Sequence, residues 1–204
     1  MRMAKLRHIA VVVKDLEKAA AFYEKVFELK RVGEEHLEMG SGIYLSDGVI
    51  NLALLKYKGE SGSGLKDAAD FVGAHHFGFQ VDDLEAAKKK IEAAGGKFFF
   101  TLGKSKEEAN FEVKYKDPDG VINLALLKYK GESGSGLKGA ENFVGAHHFG
   151  FQVDDVEATK KRIEAAGGKF FFTLGKSKEE ANFEVKFKDP DGVIFDISEK
   201  GWLK

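Results

Sequence analysis

The sequence contains no cysteine, two prolines and a single tryptophan among its 204 residues. Without cysteine the chain can form neither disulfides nor thiolate metal sites. It also lacks an excess of either charge, with 32 basic against 33 acidic residues, and no basic cluster is interleaved with aromatic residues. The first apolar run, Ile9 to Val13, is too short for a signal peptide or a membrane span. We therefore expect a cytoplasmic protein with no nucleic-acid or membrane partner.

What the sequence does contain is a long internal repeat. Residues Asp47–Ile122 recur as Asp119–Ile194, displaced by 72 positions, and only seven of the 76 aligned residues differ. Both ends of the repeat fall on the tetrapeptide Asp-Gly-Val-Ile, as an offset crossover between two copies of a shorter gene would leave them. Removing one period leaves a parent of 132 residues. The repeat therefore predicts a constructed or recently duplicated chain, with no selected activity of its own.

A shorter unit of strand, helix and three strands is predicted three times. In its first copy, Leu6–Val13 alternates as a strand does, and helical spacing of apolar residues follows from Asp15, a plausible N-cap. Two joints contain Gly-Glu-Ser-Gly-Ser-Gly, a flexible linker composition. We name the three units by their predicted bounds: module A (1–57), linker 58–72, module B (73–129), linker 130–144 and module C (145–204).

Three motifs carry a resemblance to a known family. They are the His8-Ile-Ala-Val-Val-Val strand with its Phe-Tyr helix, the segment Gly-Ala-His-His76-Phe-Gly-Phe-Gln, and the Asp-Pro-Asp-Gly turn that leads to Asp196. Together they resemble the vicinal oxygen chelate superfamily of glyoxalases, bleomycin-resistance proteins and dioxygenases. The resemblance implies an α+β fold in which βαβββ modules pair their sheets around concave clefts. In such clefts a divalent metal is held by a histidine from each first strand and a glutamate-like residue from each last strand.

The implied metal ligands include only one carboxylate. Carried over residue by residue, they are His8, Asn51, His76, Asn123, His148 and Asp196. Strand alternation places every one of these side chains on the face opposite the large apolar residues of its strand. Imidazole and carboxylate suit zinc, nickel, manganese or iron, whereas an amide is a weaker oxygen donor.

The set of expected ligands in each cleft depends on which modules pair. An A–B cleft would hold no carboxylate among the expected ligands, and an A–C cleft would hold Asp196. A cleft between two copies of module C would hold that residue twice. Because an odd module would leave apolar surface and a strand edge uncovered, we expect a homodimer. The short linker favours pairing of A with B.

Two functions remain open at this point. One is a metal-dependent lyase or isomerase of the glyoxalase type, in which Glu112 and Glu184 act as acid–base groups beside Lys114 and Lys186. The other is a metal-free protein that binds an unknown small molecule, as drug-resistance proteins of the superfamily do. The alternation of the glutamates and lysines with apolar residues also fits a sheet face that is exposed to solvent, and this is the favoured interpretation of these charged residues. Trp202 is expected to cover a cleft mouth.

Overall fold

The computed structural model describes residues 4–59, 71–102, 112–116, 146–175, 177 and 183–202. Over these residues the chain is α+β, with short helices among strands, which is the predicted fold class. None of the described helices is long and apolar enough to cross a membrane.

Module A contains one helix and four strands. Its elements are β1 (Lys5–Val12), α1 (Leu16–Phe27), β2 (Lys30–Leu37), β3 (Gly40–Ser46) and β4 (Asn51–Tyr57). Helix α1 begins where the sequence predicts, because the Asp15 side chain accepts a hydrogen bond from the backbone N–H of Lys18. Strand β2 includes His36, whose side chain is 70% exposed beside Glu34.

Modules B and C repeat the same local elements. In B these are β5 (Gly73–Gln80), α2 (Leu84–Ala93), β6 (Lys97–Leu102) and β7 (Glu112–Lys116). In C they are β8 (Phe149–Gln152), α3 (Val156–Ala165), β9 (Lys169–Leu174), β10 (Glu184–Lys188) and β11 (Ile194–Ser198). Both helices start at an aspartate that accepts a backbone hydrogen bond from the first turn, Asp83 in B and Asp155 in C. The predicted linkers fall mostly outside the described residues.

The sheets of modules A and C have the same strand order. In A, β1 runs parallel to β4, with His8 opposite Asn51, and β4, β3 and β2 follow as antiparallel neighbours. In C, β8 runs parallel to β11, followed by β10 and β9. This pairing brings the first and last strands of each module side by side. Residues on those two strands can therefore share one site.

The chain divides into two compact units that cut across the order of the modules. One comprises Met1–Arg7 with His75–Ala146, and the other comprises His8–Ala74 with His147–Lys204. The segment from His75 to Ala146 is one repeat period of 72 residues. The second unit therefore joins modules A and C, whereas the module boundaries themselves stay a prediction.

The core of this second unit lies between its two sheets, and α1 fills it. The Phe27 ring stacks on Phe151 with 3.8 Å between centroids, and the Phe22 ring meets Phe195 edge-on at 5.9 Å. Tyr23 is fully buried between them. Aromatic side chains bury the largest apolar areas of any residues, so α1 supplies much of the hydrophobic stabilisation that joins A to C.

The Asp-Pro-Asp-Gly turn of module C adds polar contacts to this junction. Tyr23 Oη donates to Asp189 Oδ2 at 3.1 Å, and Asp191 Oδ2 accepts from the backbone N–H groups of Lys14 and Asp15. Burial raises the pKa of Asp189 to about 6, although the backbone N–H groups of Val193 and Asp191 act against it. Burial, followed by the nearby Asp189 carboxylate, also raises the pKa of Tyr23.

Candidate metal centre in module C

The pairing of β8 with β11 positions His148 and Asp196 beside each other. Asp196 lies opposite Gly150 in the register, and the intervening residues Phe149 and Phe195 join the core on the other face. Alternation therefore turns the histidine and the aspartate away from the core, as the sequence predicts. The side chains meet, with His148 Nε2 3.2 Å from Asp196 Oδ2.

A third ligand comes from the neighbouring strand β10. His148, Glu184 and Asp196 each offer one ligand atom, and these atoms lie within 4.8 Å of one another. Among the described residues this is the one group of three or more His, Cys, Asp or Glu side chains close enough to hold a metal ion. Glu184 is the residue that the sequence predicts as an acid–base group.

A lysine ammonium lies inside the same cluster. Lys186 Nζ is 2.7 Å from Asp196 Oδ1, 2.9 Å from Glu184 Oε2 and 3.2 Å from His148 Nε2. The Lys186 side chain is 6% exposed and that of Glu184 is 12% exposed. The expectation of a solvated sheet face is therefore wrong for these two residues. Their strand is covered, and their charges compensate each other.

Electrostatics keep Asp196 ionised in this buried position. Burial alone would raise the pKa of its carboxyl, but the His148 imidazole and the Lys186 ammonium outweigh that cost and hold the pKa below its ordinary value. Oδ1 of Asp196 is buried, and it meets Lys186 as an ion pair without an aligned hydrogen bond. Asp196 Oδ1 thus keeps a lone pair with which it can coordinate a cation.

Trp202 covers the cluster from one side, close to its predicted place. Its indole Nε1 donates a hydrogen bond to Glu184 Oε1, and its ring lies against the backbone of Gly150. A Cβ atom at position 150 would overlap that ring, so a larger residue there would displace the indole. The indole is 46% exposed, so this side is the open edge of the site.

The neighbouring histidine orients the ligand histidine. His147 Nδ1 lies 2.6 Å from His148 Nδ1, and His147 is buried. One of these two nitrogens donates to the other, which fixes the His148 ring with Nε2 directed at the carboxylates. Such a contact to the second ring nitrogen is typical of metal-ligating histidines.

The predicted ligands of module A form a separate pair. His8 Nδ1 lies 3.1 Å from Asn51 Oδ1. The apolar residues of modules A and C belong to one shared core. The four-ligand A–C cleft stays a prediction.

Module B repeats part of the cluster. His76 Nδ1 lies 2.7 Å from His75 Nδ1, and Lys114 Nζ lies 2.7 Å from His76 Nε2. Asn123 and the side chain of Glu112 lie outside the described residues. The predicted A–B cleft and the cleft between two copies of module C consequently stay predictions.

The donor set of module C suits a divalent metal. One imidazole nitrogen and two carboxylates are common ligands of zinc, iron, nickel and manganese. Ligands about 2.1 Å from a tetrahedral ion lie about 3.4 Å apart. His148 Nε2 and Asp196 Oδ2 are already 3.2 Å apart, and the wider pairs lie within 4.8 Å. His148, Glu184 and Asp196 would hold the ion.

The comparisons with known proteins agree with this fold. Residues 5–125 and 122–197 match the family described as Glyoxalase/Bleomycin resistance protein/Dioxygenase superfamily. A search of the curated proteins found no match. Methylmalonyl-CoA epimerase from Streptomyces coelicolor, solved as a point mutant with 2-nitronate-propionyl-CoA, is 20% identical with a TM-score of 0.50. That match covers 60% of this chain and 95% of the epimerase.

A second solved structure is a fosfomycin resistance protein from Listeria monocytogenes, complexed with Mn(II) and 1S,2S-dihydroxypropylphosphonic acid. It is 13% identical with a TM-score of 0.45, and the match covers 97% of this chain and 91% of that protein. The two family matches together span nearly the whole sequence, from residue 5 to residue 197. The chain belongs to the glyoxalase/bleomycin resistance protein/dioxygenase superfamily.

Proposed function

We propose that module C binds a divalent metal ion and that the protein acts through it as a metal-dependent lyase or isomerase of the glyoxalase type. The observation that carries this proposal is the grouping of His148, Glu184 and Asp196, whose ligand atoms lie within 4.8 Å of one another. One imidazole and two carboxylates are donors that divalent metals use in proteins. The Mn(II) bound to the fosfomycin resistance protein gives the proposal a precedent within the same fold.

Each residue of the cluster has a distinct task in this proposal. His148, oriented by His147, and Asp196 hold the ion on the buried side. A bound divalent ion would polarise an oxygen of the small-molecule substrate and stabilise negative charge that develops on it. Glu184 lies beside the half-exposed Trp202, at the open edge of the site. Glu184 would be the third ligand, and we also assign proton transfer with the substrate to the oxygen of its carboxylate that does not hold the ion.

The metal proposal is tested by titrating Zn²⁺, Ni²⁺ and Mn²⁺ into the protein by isothermal calorimetry. The wild-type chain should bind one ion. Asp196→Asn should weaken that binding at least about tenfold, because it replaces a charged carboxylate ligand by a neutral amide of similar shape. Asp189→Asn is the matched control, since it changes a buried aspartate of the same module outside the cluster. Equal binding by wild type and Asp196→Asn, or no binding at all, would refute the proposal.

A metal-free binding protein of the resistance type is the second candidate. The contacts of Lys186 with both carboxylates favour it, because the ammonium already compensates their charge. In that case bleomycin, added as a probe drug, should quench the fluorescence of Trp202 with a saturable dependence on concentration and without added metal. An unchanged emission together with metal uptake would remove this candidate.

We further propose that the chain forms a homodimer. In module B, helix α2 has no buried residue, and Phe79 and Ile91 are 53% and 39% exposed. A second copy of the chain that covers this apolar surface would remove it from water. Light scattering after size exclusion should then give twice the mass of one chain. A stable monomer at micromolar concentration would exclude the dimer.

The 204-residue form is best explained as a recombined or constructed version of a 132-residue parent. Deleting His75–Ala146 removes one period and joins the two segments of the compact unit that contains modules A and C. The shortened chain should fold and should bind metal with the affinity of the full chain, as judged by circular dichroism and calorimetry. A shortened chain that is unfolded would contradict this origin.

A further inference from the structure

Lys186 occupies the centre of the ligand cluster in module C. Its Nζ lies between 2.7 and 3.2 Å from an atom of each of the three ligand side chains. Its ammonium also lies 5.7 Å from the centroid of the Phe172 ring, on the neighbouring strand. The lysine is thus held in place by several contacts of different kinds.

An ammonium in this place and a divalent ion exclude each other. Metal–ligand distances are about 2.0–2.2 Å, so an ion shared by the three ligands would stand almost where Nζ stands. Two cations at such a separation also repel strongly in a buried site. We propose that Lys186 is an internal cation that occupies the metal position of module C, so that a divalent ion binds only when this side chain leaves the cluster. The inference rests on the proposed metal site and states what limits its affinity.

The repeat supplies an internal control for this inference. Lys114 is the copy of Lys186 in module B, and it lies 2.7 Å from His76 Nε2. The sequence has Asn123 at the position where module C has Asp196. Removal of Lys114 therefore cannot open a site with the same carboxylates, although it removes the same side chain from a strand that differs from β10 at one position, Tyr115 in place of Phe187.

The experiment compares zinc and manganese titrations of the wild type, Lys186→Met, Lys186→Arg and Lys114→Met, followed by calorimetry. Methionine keeps most of the length of the lysine stem and removes its charge. We expect Lys186→Met to bind zinc about 10- to 1,000-fold more tightly than the wild type. Lys186→Arg, which keeps the cation, and Lys114→Met should bind no more tightly than the wild type.

The outcomes separate this inference from the function on which it rests. If the wild type binds metal through Asp196 but Lys186→Met binds no more tightly, the lysine inference is overturned and the metal site stands. If Lys186→Met binds and the wild type does not, the lysine inference is supported and the metal-dependent function of the wild type is overturned. If neither binds, both are overturned.

If Lys186→Met does not fold without metal, its folding is measured by circular dichroism with and without zinc. The two carboxylates would then lack a compensating cation, and zinc should restore the folded spectrum. A variant that stays unfolded in excess zinc, while Lys186→Arg is folded, would contradict the inference. The metal position would then not be open to an ion in place of the lysine.

Discussion

Modules B and C have nearly the same sequence, yet they present different sites. Both place two successive histidines in Nδ1–Nδ1 contact and bring a lysine to the second one. In B the lysine lies 2.7 Å from the histidine, whereas in C that distance is 3.2 Å and the closest partner is Asp196 at 2.7 Å. The last strand of C supplies Asp196, the closest partner of its lysine, whereas the sequence of B has Asn123 at that position.

The helices of the two modules differ in burial for a reason that lies outside the repeat. Ile163 of α3 is fully buried, whereas its copy Ile91 of α2 is 39% exposed. Helix α3 packs beside α1 of module A, within the same compact unit. Two sequences that differ at three of ten positions therefore give the same helix in both places, and the tertiary neighbour decides how much each helix stabilises the protein.

The largest expected effect comes from truncating this pair of isoleucines. Ile163→Ala should lower the free energy of unfolding by about 2–5 kcal/mol, because it opens a cavity in a closed core. Ile91→Ala should cost less than about 1 kcal/mol in a partly exposed site. Urea unfolding followed by circular dichroism measures both. Equal losses would mean that the two helices are equally buried in solution, contrary to this comparison.

The turn that joins module C to module A is expected to make stability depend on pH. A pKa of about 6 for Asp189 in the folded chain lies above the ordinary value of 3.8 for an aspartate, so the folded state binds this proton more tightly than the unfolded state. The stabilisation that comes from this tighter proton binding is fully present below about pH 4 and is lost as the pH rises to about 6. Asp189→Asn removes this titration.

The corresponding measurement is the unfolding free energy of both proteins between pH 4 and pH 7. Relative to the wild type, Asp189→Asn should gain about 3 kcal/mol across that range. A difference that stays flat with pH would show that Asp189 titrates normally. Tyr23 and the backbone groups around the turn would then not enclose it as described.

A smaller effect should come from the contact of Trp202 with Gly150. Gly150→Ala places a methyl group where the indole ring lies, so the ring must move and its hydrogen bond to Glu184 is lost, at a cost of about 1–2 kcal/mol. Because the chain has one tryptophan, its emission reports the movement as a red shift. Gly78→Ala, the copy in module B, should leave the emission unchanged. A red shift in both variants would argue against a local contact.

Alternation and capping residues were enough to predict much of the fold. The apolar faces of β1, β8 and β11 follow from period-two patterns, and the start of α1 follows from Asp15. These signals are local, so they survive without knowledge of the partner elements. For the same reason, the sequence placed His148 and Asp196 on one face but could not give the distance between them.

The burial of Glu184 and Lys186 could not be predicted in the same way. Alternating charged residues on a strand are typical of a solvated face, and that pattern is equally present in module B. The signal that was missed is the pairing across strands: Lys186 lies opposite Asp196 in the register, so opposite charges compensate each other under the cover of Trp202. The packing of A against C was also hidden, because B and C offer α1 nearly the same apolar residues.

The most direct test of the central claim, that the ligand cluster of module C is a cation site, is the zinc stoichiometry of two matched variants. Equilibrium dialysis followed by mass spectrometry of the metal should give one zinc per chain for the wild type. His76→Ala should retain it, and His148→Ala should lose it. Two zinc ions per chain, no zinc in the wild type, or loss of zinc in His76→Ala would contradict the account.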